Sequence, residues 1–144
     1  MGDDTIFIDG VEFCSDKKIL IKFPQDSKLT EYVIPDGVLE IGEGAFHACK
    51  SLESVIISNE VTRIGTLAFE LCSCLKSIII PKQIIEIGDW AFAECINLKT
   101  IVIPNSMEKI SQYAFDACPC EEQLKNDYPD LFVDNVDEDD FYEE

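Results

Sequence analysis

A nine-residue phrase occurs four times in this chain, each copy 23 residues after the last: IGEGAFHAC (41–49), IGTLAFELC (64–72), IGDWAFAEC (87–95) and ISQYAFDAC (110–118). The period holds outside the phrase as well. Leu29, Leu52, Leu75 and Leu98 recur in phase, as do Ile34, Ile57, Ile80 and Ile103. Pro35, Pro81 and Pro104 follow the isoleucines, with Ser58 in the remaining unit. Self-similarity at a fixed period of about 20–50 residues marks a solenoid, because a unit this short has an apolar side and nothing of its own to bury it against. Stacked copies bury each other.

Each unit divides into three parts. LESVIIS (52–58) and its equivalents are β-branched and apolar, which reads as a strand, and the proline that follows cannot donate a ladder hydrogen bond and ends it. VTRIG (61–65) reads as a second short extended piece, closed by a glycine that permits a turn. TLAFELC (66–72) spaces Ala68, Phe69 and Cys72 as one inward-facing turn of helix would. Stacking then puts Phe on Phe and Cys on Cys, in continuous interior ladders. Of the seven cysteines, Cys49, Cys72, Cys95 and Cys118 lie on the repeat, so they read as small buried hydrophobes with free thiols.

The unit LxxhxIPxxhxxIGxxAFxxC, where h is apolar, resembles the BspA-like (Treponema pallidum-type) leucine-rich repeat. The resemblance covers Leu29 to Cys118, with Ser58, Met107 and Ser111 as small departures. The opening IFIDGVEFCSDKKILIKFP resembles the strand-rich cap common in that family. The expected fold is therefore a leucine-rich-repeat solenoid, an α/β repeat mostly β with short helical turns, with four 23-residue coils over 29–120. Residues 1–28 are expected to form an N-terminal β cap, with a DG hairpin turn at 9–10. Residues 121–133 are expected to form a helical cap, completing a single domain over 1–133 and leaving 134–144 as an acidic disordered tail. The resemblance also implies a non-enzymatic module that binds another protein, since such repeats often sit on bacterial or protist surfaces and contact host or neighbouring proteins.

Charge narrows the partner. The chain has 29 acidic and 11 basic residues, a net −18, and Arg63 is its one arginine. A phosphate-binding face needs clustered Lys and Arg, so nucleic acid and anionic membrane are excluded as partners and a basic protein is favoured. The tail contributes −7 of that charge and leaves −11 on the rest. The N-terminus MGDDTIFIDG has neither the basic start nor the apolar core of a signal peptide, so the chain as written is expected in the cytoplasm. A chain whose export signal had been removed reads the same way, and would be expected at the cell surface or secreted. A monomer is favoured.

Little in the sequence points to catalysis. His47 is the one histidine, in a variable position of the turn, without the nucleophile and orienting carboxylate that a catalytic imidazole needs. Phosphate loops, GxSxG and HExxH are absent. Cys72-x-Cys74 and Cys118-x-Cys120 are two coils apart. That is about 10 Å at roughly 4.8 Å per coil, too far for their thiolates to share one zinc. The tail lacks the central glycine and ordered ligands of an EF-hand. No cofactor, metal site or enzymatic activity is expected.

Surface columns remain. With Leu and the third and fifth residues after it pointing inward, the first, second and fourth face out. They form the columns Thr30, Glu53, Lys76, Lys99; Glu31, Ser54, Ser77, Thr100; and Val33, Ile56, Ile79, Val102. The last is an apolar stripe on an outer face, flanked by lysines and hydroxyls, and is the candidate protein-binding strip. Trp90 and Tyr113, on adjacent turns, form a secondary candidate face. The alternative to a binding module is a small acidic intracellular inhibitor or immunity-type protein that blocks a basic enzyme, as a mimic of nucleic-acid charge.

Overall fold

The structure is a computed structural model and describes residues 4–134. It is a β-solenoid of about five turns with a repeat of about 23 residues and one short C-terminal helix. An antiparallel meander opens it: β1 (Thr5–Ile8), β2 (Val11–Cys14) and β3 (Ile19–Lys22). The second extended piece of each coil supplies β5 (Glu40–Ile41), β7 (Arg63–Ile64), β8 (Glu86–Ile87) and β9 (Lys109–Ser111). These run parallel in a continuous sheet that starts from β3 and ends on β10 (Phe132–Val133), after helix α1 (Glu121–Asp127). The first piece supplies β4 (Glu31–Val33) and β6 (Ser54–Ile56), extended into the later coils by the bridges Ser54–Ser77 and Ile79–Val102. Both faces are parallel ladders, as stacked coils of one register must be.

The interior follows the period. Phe46, Phe69, Phe92 and Phe115 are fully buried, and successive ring centroids lie 4.8, 5.1 and 5.2 Å apart with planes within 3°. That spacing is close to the distance between neighbouring strands, so the backbone ladder sets the ring stack. Phe23, from the cap, adds a rung at 5.3 Å from Phe46. Its N–H also donates to the Ala45 carbonyl, so the cap is the stack's first partial coil as well as its cover. Leu52, Leu75 and Leu98 are buried as expected, but Leu29 is 52% exposed. It belongs to the first coil, whose strand β4 is the outer strand of its sheet among the described residues.

The turn before each cysteine is not helical. In the second coil, N–H groups of Ala68, Glu70 and Cys72 donate to carbonyls three residues back, forming overlapping β-turns, and Leu67 and Leu71 have φ of 62° and 63°. Gly44, Ala48, Trp90, Glu94 and Ala117 repeat this left-handed geometry. The reason lies between coils. The alternate amides Leu67, Phe69 and Leu71 donate to Asp89, Ala91 and Ala93 of the next coil. A helical turn would aim every N–H along its own axis and leave those carbonyls unpaired. The inward spacing of Ala, Phe and Cys is nonetheless as expected. Gly65 also has another role than a turn: a Cβ there would lie 3.0 Å from the backbone of Ile41, Gly42 and Glu43, so glycine allows close approach of the coil before it.

The cysteine column is hydrogen-bonded as well as buried. The thiols of Cys72, Cys95 and Cys118 donate to the carbonyls of Phe46, Phe69 and Phe92 in the preceding coil, at 3.0, 3.1 and 2.8 Å. Each thiol thus ties two coils together where a methyl group could only fill space. The acidic tail expected over 134–144 lies outside the described residues apart from Asp134.

Two measurements check this core. Phe69→Ala removes a central rung and is expected to lower stability by about 3–5 kcal/mol, read from urea unfolding. An unchanged midpoint would contradict the inward stack. Burial lifts the Cys72 thiol from its ordinary value near 9 to about 12, and Cys49 to about 11. Above pH 9 the unfolded chain has released these protons while the fold still holds them, so stability is complete below pH 9 and falls as pH rises toward 12. The fall should be shallower in Cys72→Ala. An identical slope in both proteins would count against burial as the cause.

Candidate protein-binding face

The coil geometry aims one side of β4, β6 and the bridged segments after them outward. Along each segment the side chains alternate: Val55 and Ile57 point in and are buried, and Ile56 between them points out. Val33, Ile56, Ile79 and Val102 are 57, 50, 69 and 59% exposed, and they lie side by side because the register pairs Val33 with Ile56 and Ile79 with Val102. The column is thus an apolar strip across four neighbouring coils. Shallow grooves flank it. One, of about 260 Å³, lies between Ile56 and Ile79 over Asn59, Ser77 and Pro81. Another lies between Val33 and Ile56 over Asp36 and Glu60.

The polar columns stand beside the strip. Thr30, Glu31, Glu53, Lys76, Ser77, Lys99 and Thr100 are exposed, and Ser54 is half-buried. Lys76 Nζ lies 3.4 Å from Glu53 Oε1, so two neighbours in one column partly neutralise each other. Both are exposed, and such a pair contributes less than about 1 kcal/mol. Trp90 and Tyr113 lie elsewhere, on the turns, with their rings stacked at 5.1 Å and 13°.

Two features were missed in the sequence. Glu40, Arg63, Glu86 and Lys109 alternate in sign down the continuous sheet, with Arg63 Nε 3.6 Å from Glu40 Oε2 and Glu86 in register with Lys109. The alternation was visible at 23-residue spacing and sets opposite charges side by side across neighbouring strands. His47 Nε2 lies 3.2 Å from Glu70 Oε1, and Gln25 Nε2 donates to the His47 carbonyl at 3.0 Å. This histidine connects the cap to two coils. No signal in the sequence paired it with Gln25.

The family model for the BspA type leucine rich repeat region matches residues 21–128, in six copies. The chain belongs to this family. Among solved structures, this BspA-type chain is similar to the T. pallidum leucine rich repeat protein, with 33% identity, a TM-score of 0.60, and coverage of 68% of this chain and 48% of that one. It is similar to a leucine rich cell surface protein from Faecalibacterium prausnitzii, at 29% identity and TM-score 0.66, over 92% of this chain and 43% of that one. A leucine-rich repeat protein from Bacteroides capillosus matches at 28% identity and TM-score 0.67, over 79% of this chain and 96% of that one. The chain thus spans about half, or less, of the T. pallidum and F. prausnitzii proteins. No curated protein matches it. Leucine-rich repeats of this family are generally protein-binding scaffolds. The inhibitor reading gains no support from these relatives.

Because the strip is solvent-facing, it should be dispensable for folding. Ile79→Thr keeps the β-branch and should change the urea midpoint by less than about 0.5 kcal/mol in free energy. A loss of several kcal/mol would show that Ile79 is packed and unavailable to a partner.

Proposed function

We propose that this chain is a non-enzymatic module that binds another protein through its strand face, with Val33, Ile56, Ile79 and Val102 as the apolar centre. The observation that carries the reading is the exposure of all four, side by side, on parallel-paired segments of successive coils. Surface strips of this kind are uncommon on monomers unless something covers them. Thr30, Glu31, Glu53, Ser54, Lys76, Ser77, Lys99 and Thr100 form its polar rim. The net charge of −18 favours a basic partner, with long-range attraction that raises the association rate and weakens with salt. A relative described as a cell surface protein supports looking for that partner outside the cell. We take 1–133 as the folded unit, with the acidic segment after it adding only charge.

Capture from a binding mixture at low and high salt, with identification of what is held, tests this. Ile56→Asp and Ile79→Asp should weaken capture of the same protein at every salt concentration, because apolar burial is not screened by ions. Normal capture by both variants would place the binding face elsewhere.

A further inference from the structure

The turns carry a second surface with its own chemistry. Residues 42–49, 65–72, 88–95 and 111–118 hold five carboxylates (Glu43, Glu70, Asp89, Glu94 and Asp116) and no Lys or Arg. Among them Trp90 and Tyr113 stack ring on ring, and remain 37 and 41% exposed. Trp90 is held there with φ of 59°, a left-handed geometry that the turn imposes and that Gly44 meets without strain at the matching position. A bulky aromatic is thus kept on the surface at a site where glycine would relax the backbone. Asp89, its neighbour in sequence, has a buried Oδ1 with no hydrogen-bond donor.

We propose that the Trp90–Tyr113 ledge receives an arginine side chain of a basic peptide or protein. A guanidinium is planar, weakly hydrated and stacks on aromatic faces, and since the two rings cover each other's inner faces it meets the exposed outer side of the pair, where Tyr113 is the more exposed ring. Asp89, Glu94 and Asp116 supply the negative field that draws it in. The face is charge-complementary to a cationic segment and repels an acidic one. It is separate from the strand face, so the two proposals stand or fall independently.

Trp90 is the only tryptophan in the chain, so its emission reports on the ledge directly. The full chain is titrated with acetylated, amidated hexa-arginine. The expected result is a saturable change in Trp90 emission that hexa-glutamate does not produce. Tyr113→Ala should weaken binding by about fivefold, the size of an exposed cation–π contact, and Tyr113→Phe should restore it. The double variant Glu94→Gln, Asp116→Asn, which leaves both rings in place, should bind more weakly and with a smaller salt dependence. Ile79→Asp should bind as the unaltered chain does. The proposal is overturned by no saturable change, by equal affinity in Tyr113→Ala (binding through acidic residues elsewhere), or by a loss that follows Ile79→Asp in place of the ledge variants.

Discussion

Everything in this molecule depends on the coil-to-coil hydrogen-bond ladder, which holds equivalent residues of successive coils about one strand spacing apart. Once that spacing is set, a residue type repeated at 23 must meet its own kind. Phe stacks on Phe at ring-contact distance, and each cysteine reaches the carbonyl of the coil before it. The same geometry gathers outward residues into columns. Core and candidate binding face are therefore consequences of one ladder, read from its two sides.

The ladder also explains the turns. A coil must reverse direction while keeping its amides aimed at the neighbouring coil, and left-handed residues four positions apart in the turn achieve that. Ordinary L-residues adopt such geometry at a cost of about 1–2 kcal/mol each. Leu67, Leu71 and Glu94 accept it because the inter-coil hydrogen bonds are otherwise lost.

The inward positions were legible in the sequence because identity and phase agree there: Phe and Cys recur without exception at their places. The outward columns followed by alternation. The turn conformation was hidden, because six of its seven left-handed positions hold Leu, Trp, Glu or Ala, and only Gly44 carries the glycine signal that normally marks such a backbone. Spacing alone fits a helical turn equally well. Gly65 was visible, yet its reason, the approach of a coil 23 residues earlier, is tertiary. Phe23 lies 23 residues before Phe46 and makes the same inter-coil bond, its N–H to the Ala45 carbonyl, so it joins the stack in phase although units counted from Leu29 leave it out. Residue types named the candidate face; a partner's shape has no counterpart in the chain's own periodicity.

The coils hold together as one cooperative ladder through the turn amides that cross between them. Native-state hydrogen exchange reads this directly at Phe46, Phe69 and Phe92, whose N–H groups donate to Ala68, Ala91 and Ala114 at 2.7 Å each. The account predicts that all three exchange only through global unfolding, with one shared free energy equal to that from urea denaturation. Exchange of these amides by separate local openings, each with its own lower free energy, would contradict it.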